Sequence, residues 1–142
     1  MIVWLTGQPG SGKTTIAKMI ISRVSSEWFH IDGDDIRELF NNKDYSEQGR
    51  RENVKVVQQL SQYLHSKNKH AVVSLVSPYK DQREDFKNKM GSEVVEVYVH
   101  TSEIRGREQF FVENYEPPTE SFVDVCTDNI SVDKSVDIIL TH

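Results

Sequence analysis

The sequence predicts a three-layer α/β fold, a mostly parallel sheet of about five strands flanked by helices, and three observations predict it. Short apolar runs alternate with amphipathic stretches along the chain, the pattern of crossover units in a parallel sheet. The first run, Ile2-Val3-Trp4-Leu5, is apolar at every position, as a strand buried on both faces must be. Glycine and proline fall mostly between the periodic segments, where they mark turns.

The elements follow in order. Beyond the first strand and a glycine cluster, Ile16, Met19, Ile20 and Val24 recur at helical spacing. Trp28-Phe29-His30-Ile31 reads as a second strand, stopped by Asp32-Gly33-Asp34. A long helix is expected from about Glu47 to Ser66, burying Val56, Val57, Leu60, Tyr63 and Leu64. Ala71 to Val76 forms the third strand, Val94 to Val99 the fourth and Phe122 to Cys126 the fifth. Val132, Val136, Ile139 and Leu140 mark a closing helix. No repeat, low-complexity tract or linker divides the 142 residues, so one domain over 1–142 is expected.

Composition excludes several classes. Lys and Arg total 17 against 22 Asp and Glu, a net charge of −5. That balance speaks against a nucleic-acid coat or a membrane-surface binder, although it is compatible with a local basic cleft. No apolar run approaches the length of a membrane-spanning helix. The first seven residues lack the basic region and long apolar core of a signal peptide. The single cysteine, Cys126, permits no intramolecular disulfide and suits a reducing, cytoplasmic setting.

The strongest chemical signal is Gly7-Gln8-Pro9-Gly10-Ser11-Gly12-Lys13-Thr14. It matches the P-loop pattern G-x-x-x-x-G-K-S/T and lies, as that pattern requires, between a strand and a helix. By composition alone the pattern arises in roughly one chain in two hundred of this length. Glycines allow positive φ, so successive N–H groups converge on phosphate oxygens, and the helix N-terminus adds partial positive charge. On this reading Gly7, Gly10, Ser11, Gly12, Lys13, Thr14 and Thr15 bind the phosphates of ATP. Lys13 reaches the β- and γ-phosphates, and the Thr14 hydroxyl binds Mg²⁺. The fold class becomes that of a P-loop NTPase. No Asn-Lys-x-Asp guanine signature occurs, and 142 residues are too few for a large motor ATPase, which leaves a small kinase.

His30-Ile31-Asp32-Gly33-Asp34-Asp35-Ile36-Arg37 places carboxylates at the end of the second strand, the edge where open parallel sheets bind ligands. Asp32 and Asp34 there could hold Mg²⁺ and orient an acceptor hydroxyl, and Arg37 could meet an anionic substrate. The plainer alternative is a helix-starting turn with Asp34 as its N-cap.

With these residues in place, the sequence resembles the adenylylsulfate kinase family, and the correspondence runs in order along most of the chain. Ile31-Asp32-Gly33-Asp34-Asp35-Ile36-Arg37 resembles the family's Leu-Asp-Gly-Asp-x-x-Arg. Tyr45-Ser46 and Gly49-Arg50-Arg51-Glu52-Asn53 resemble its aromatic-Ser and Asp-Arg-x-Glu-Asn segments. Val76-Ser77-Pro78-Tyr79-Lys80, with Arg83 after it, resembles Ile-Ser-Pro-Tyr-Arg, and Tyr115-Glu116-Pro117-Pro118 resembles Tyr-Glu-x-Pro. The resemblance implies MgATP-dependent phosphorylation of the ribose 3′-hydroxyl of adenylyl sulfate. It implies that Arg37, Arg50 and Asn53 contact this substrate, with Tyr45 stacking near its adenine and Ser77 on the substrate-side loop. Asp32 and Asp34 then serve Mg²⁺ and the hydroxyl. Family members often dimerise, so the resemblance also suggests a homodimer, and it places the enzyme in sulfate assimilation.

Three departures stand out. Gly49 replaces the acid before Arg50, and Lys80 replaces an arginine, keeping charge without the bidentate fork. The family's lid is largely missing: the stretch of about 101–118 is short, with Arg105 and Arg107 as its candidate phosphate clamps. The shortened lid keeps other readings open. A related P-loop kinase would act on another hydroxyl, on a nucleotide, a polynucleotide end or a hydroxymethylated base in DNA. A non-catalytic ATP-binding module is the alternative from a different class. Trp4, Trp28, Phe29 and Cys126 are read as packing residues, His65 and His70 as solvated, and Ser77, which could accept a phosphoryl group, by default as a loop-capping hydroxyl before Pro78.

Overall fold

The computed structural model describes residues 1–142. Its centre is β1 (Ile2–Thr6), paired in parallel with β3 (His70–Ser74) on one side and β4 (Val94–His100) on the other. β2 (Trp28–Asp32) flanks β3, and β5 (Val123–Cys126) flanks β4, giving five parallel strands in the order β2-β3-β1-β4-β5. The register sets Leu5 and Asp32 both opposite Ser74. It therefore brings the carboxyl ends of β1, β2 and β3 to one edge.

Helices cover both faces. On one side α1 (Lys13–Arg23) and α5 (Val132–Leu140) pack Ile16, Ala17, Ile20, Val136 and Ile139 against Val3, Leu5, Val97 and Val99. On the other lie α2 (Gly33–Leu39), α3 (Glu47–Ser66) and α4 (Lys80–Met90), whose Ile36, Val54, Val57 and Phe86 meet Ile2, Trp4, Val73 and Leu75. Each Val, Leu, Ile or Phe among them, fully buried, contributes roughly 1.5–3 kcal/mol. α3 starts where it must: Ser46 caps it, its side chain accepting the Gly49 N–H at 3.3 Å, and Glu47 sits favourably in the first turn.

The structure departs from the sequence reading in several places. β3 ends at Ser74 rather than Val76, because the chain lifts away to carry Ser77 in the left-handed region at φ 47°. The buried stripe of α3 runs through Gly49, Asn53, Val54, Val57 and Ser61, with Val56, Leu60 and Leu64 on its flank and Tyr63 exposed. Its polar members are satisfied locally, Asn53 by the Gly33 carbonyl and Ser61 by that of Val57, so an apolar pattern does not mark them. The N-cap position of α2 is held by Asp32, and Asp34 lies inside the first turn. Phe29 is exposed because β2 is an edge strand, and Trp28 is half-buried, stacked 4.8 Å from the His70 ring. Helix α4 was not anticipated from the sequence. No helix is long and apolar enough to cross a membrane.

Candidate active site

The P-loop leaves β1 at Thr6 and enters α1 at Lys13. Gly12 stands at the helix N-cap with φ 111°, a conformation that costs an L side chain dearly. Gly7 is needed for another reason: a Cβ there would stand 2.1 Å from the Val99 carbonyl. Lys13 is buried, and its Nζ donates to the Gln8 carbonyl at 2.9 Å and to Ser11 Oγ at 3.4 Å. Burial lowers its pKa to about 8, against the opposing pull of Asp32 and Asp34. Gly10, Gly12, Lys13, Thr14 and Thr15 line a cleft of about 1340 Å³. Gly7 and Ser11 do not line it; they lie in and beneath the turn that shapes it.

The acidic turn forms the next stretch of wall, and both Asp32 and Asp34 line the cleft. Ser74 Oγ donates to Asp32 Oδ1 at 2.9 Å and sits 2.7 Å from His30 Nε2. Partial burial raises the Asp32 pKa, and the Ser74 hydrogen bond offsets part of that rise. The Asp34 carboxylate accepts no hydrogen bond and makes no ion pair; the Thr14 hydroxyl is likewise unengaged. Two hard oxygen donors, Thr14 and Asp32, thus face one cleft with Asp34 alongside, a set suited to a Mg²⁺ that keeps phosphate and water among its ligands.

On the far side of the cleft lie Arg37, Tyr45, Arg50 and Asn53. Their roles differ. Arg37 donates to the carbonyls of Asn42 at 3.2 Å and Asp44 at 3.0 Å, and its guanidinium stands 4.1 Å from the Tyr45 ring centroid. It therefore holds up the loop that presents Tyr45, whose ring remains exposed. Asn53 is committed to the Gly33 carbonyl at 3.3 Å and braces the acidic turn. Arg50 has no protein partner, and its charge is free for a ligand. Gly49 beside it is required, since a Cβ would stand 2.1 Å from the Asp44 carbonyl. That contact explains why no acidic side chain precedes Arg50.

Ser77 is buried and lines the cleft, yet its Oγ has no hydrogen-bond partner, so it is not a loop cap. Its carbonyl accepts from Arg83 at 2.6 Å and from the Thr6 hydroxyl at 3.2 Å. Arg83 in turn is paired with Glu96 at 2.8 Å and donates to the Glu116 carbonyl.

From Thr101 to Pro118 the only regular structure is one 3₁₀ turn, Glu108–Phe110. Side chains hold this strap down. Asp128 takes hydrogen bonds from Thr101 and Ser102 at its start. Arg105 donates to the carbonyls of Gly10 at 3.3 Å, Ser11 at 3.1 Å and Thr127 at 3.1 Å. Tyr115 Oη meets Thr6 Oγ1 at 2.8 Å at its end. Several cleft residues here escaped the sequence reading: Lys43, Gln109, Phe110, Phe111 and Val112, with Arg107 expected only as a clamp. An adjacent Phe-Phe pair in a polar stretch was the one available signal. Six cations line the cleft (Lys13, Arg37, Lys43, Arg50, Arg105, Arg107) against three carboxylates (Asp32, Asp34, Glu38).

Comparison with known proteins places this geometry in context. Residues 1–110 match the family model described as adenylylsulphate kinase. The chain is 31% identical to the adenylyl-sulfate kinase of Vibrio cholerae over 106 residues, 71% of this chain and 49% of that protein. It is 29% identical to the adenylyl-sulfate kinase of Staphylococcus carnosus over 166 aligned positions, covering 100% of this chain and 83% of that protein. An alignment longer than the 142 residues present means that the relative carries insertions this chain lacks. The chain spans about half the length of the Vibrio relatives it matches, 49–51%. Among solved structures, the Mycobacterium tuberculosis APS kinase CysC in complex with AMPPNP and APS superposes with a TM-score of 0.81 at 21% identity, covering 99% of this chain and 95% of that one. That likeness is one of fold.

Proposed function

The chain belongs to the adenylylsulphate kinase family, and from that premise we propose that it transfers the γ-phosphoryl group of MgATP to the 3′-hydroxyl of adenylyl sulfate. One observation carries the reading: a single continuous cleft joins the P-loop, the carboxylates of the acidic turn, and the unpartnered Arg50 beside the exposed Tyr45 ring. The cavity of about 1340 Å³ exceeds the roughly 300–1,000 Å³ usual for one small ligand, which supports a site for a nucleotide and a second substrate.

The residues divide the work by position. The P-loop amides and Lys13 hold the phosphates, and Lys13 leaves the Gln8 carbonyl to do so. Thr14 and Asp32 would hold Mg²⁺, which when bound neutralises charge on the phosphate oxygens. Asp34, whose carboxylate has no protein partner, orients the acceptor hydroxyl and takes up its hydrogen bond. The bond from that oxygen to the γ-phosphorus forms as the bond to the bridging β–γ oxygen breaks, and the hydroxyl proton leaves to Asp34 or solvent. Arg105, between the P-loop and Thr127, braces the ATP side, and Arg107 stands nearby to meet charge in the transition state. On the acceptor side Arg50 meets the phosphosulfate and Tyr45 stacks on the base. Ser77 and Asn53 complete that wall. An acceptor-side arginine with no structural partner has no use in a pure ATP sensor, which favours the kinase over a non-catalytic module.

A coupled assay of ATP consumption with adenylyl sulfate, comparing the wild type with Lys13→Ala, tests the reading. Stimulation by adenylyl sulfate that the variant loses is expected. ATP turnover indifferent to adenylyl sulfate, but stimulated by another alcohol, would reassign the acceptor.

A further inference from the structure

The P-loop and the strap over the cleft are joined by a contact that no phosphate-binding role requires. Gln8 Nε2 donates to the Val112 carbonyl at 2.8 Å, and Gln8 Oε1 accepts the Val112 N–H at 2.9 Å. The carboxamide thus occupies both backbone groups of one residue, as a neighbouring strand would. Val112 is buried, whereas the preceding rings are open: Phe111 is 44% exposed and Phe110 57%. All three line the cleft. The backbone hydrogen bonds between Arg105 and Val112 stay inside the strap, with Phe110 bonded to Arg107 and Phe111 to Glu108. Arg105 and Gln8 are therefore the moorings at the two ends of the 105–112 stretch. Gln8 is the one on the side of the rings.

We propose that Gln8 is a positioning residue for the acceptor. By gripping Val112 it lays Phe110 and Phe111 along the open side of the cleft, where they offer apolar surface to a flat base. The proposal rests on the kinase reading above for the identity of the acceptor, and on the hydrogen bonds alone for the positioning. The main-chain oxygen of the same residue accepts a hydrogen bond from Lys13 Nζ at 2.9 Å. One residue therefore contacts both the phosphate-binding lysine and the acceptor wall. A preformed wall needs little rearrangement when the acceptor arrives, which reduces the ordering cost of binding.

The test compares Gln8→Ala and Gln8→Met with the wild type. Methionine keeps the side-chain volume but loses both hydrogen bonds. In each variant the KM for adenylyl sulfate is expected to rise about tenfold, the scale of one to two lost hydrogen bonds. The Kd for MgATP, measured by calorimetry, should change less than that KM, because the variants keep the Gln8 main chain that meets Lys13. Hydrogen exchange at the Val112 amide of the empty protein is expected to speed up in both variants. Recovery by methionine would assign the effect to packing and overturn the proposal. Unchanged Val112 exchange, or equal loss of affinity for both nucleotides, would overturn it too. If the wild type ignores adenylyl sulfate, the assignment of the acceptor fails on its own, and the exchange measurement still decides whether Gln8 moors Val112.

Discussion

Arg83 and Glu96 meet at 2.8 Å with each side chain only 1% exposed, an ion pair sealed between α4 and β4. The Arg83 guanidinium also reaches the carbonyls of Ser77 and Glu116, so a single buried cation secures the Ser77 loop and the end of the strap together. Glu96 is further held by Lys87 at 2.6 Å.

Removing one partner of such a pair strands the other in a low-dielectric interior. Arg83→Ala is therefore expected to cost roughly 3–5 kcal/mol of stability, read as a lowered midpoint in urea denaturation. Arg83→Met with Glu96→Leu removes both charges and should recover part of that loss. Equal destabilisation by single and double variants would mean that the loss comes from the hydrogen bonds to the Ser77 and Glu116 carbonyls, absent in both, and not from a stranded Glu96.

On the proposed reading Lys13 carries the phosphate contacts, and replacing it should be severe. Loss of one preorganised charge-stabilising donor typically lowers kcat by about 10²–10³, so Lys13→Met should fall in that range with the fold intact by circular dichroism. Lys13→Arg should not restore it, because the buried slot accommodates a compact ammonium and not a planar fork. Near-normal turnover in either variant would remove Lys13 from the mechanism.

The same lysine gives a pH signature. Burial disfavours its charge and lowers its pKa from the ordinary 10.5 to about 8. Between those values the folded chain binds fewer protons than the unfolded one, so this group opposes folding below pH 8 and ceases to do so as pH rises. Phosphates favour the charged form, so MgATP binding near pH 8.5 should take up a proton. Calorimetry in two buffers of unlike ionisation enthalpy should give different apparent heats for the wild type and equal heats for Lys13→Met. Buffer-independent heats in the wild type would contradict the shift.

Arg50 and Arg37 should separate in their effects. Arg50 touches no protein group, so Arg50→Ala should raise the acceptor KM by an order of magnitude or more, about 1.5–3 kcal/mol for a charged hydrogen bond, without moving Tm. Arg37 holds the Asn42 and Asp44 carbonyls and underlies Tyr45, so Arg37→Ala should lower Tm as well as acceptor affinity. Thermal scans beside steady-state kinetics decide between these patterns.

Gly49→Ala should behave as a loop mutation rather than a helix mutation. Alanine normally favours a helix, yet here its Cβ would press on the Asp44 carbonyl at 2.1 Å. The expected result is a loss of stability and a raised acceptor KM with ATP affinity retained, seen by the same assays. A stabilised variant would show that the Asn42–Tyr45 loop yields freely.

What could be read from the sequence was what is local. The P-loop announces itself within eight residues, and β1 and α3 carry their own boundary signals in an unbroken apolar run and in the Ser46 cap. Helix α4 carries no such signal. Lys80–Met90 offers only Phe86 and Met90 to a periodicity search, and its deepest side chain is an arginine whose partner lies on the next strand. The Gln8–Val112 pairing was equally hidden, since its halves are 104 positions apart and neither residue type announces a contact. Arg37 reads as a free cation because two of its three acceptors are the main-chain carbonyls of Asn42 and Asp44, which side-chain identity does not reveal.

The charge distribution has a kinetic consequence. A chain of net charge −5 with an excess of cations in its cleft must wear its surplus negative charge elsewhere. An anionic nucleotide is thus turned away by most of the surface and welcomed at one mouth, over a range of about 8 Å at physiological ionic strength. The welcome has a drawback at the end of the cycle. If the cleft adds a phosphoryl group to its acceptor, the product leaves more negative than the acceptor arrived, and the same cations resist its departure. Added salt should then speed turnover at saturation while it slows capture, so that kcat rises as kcat/KM falls.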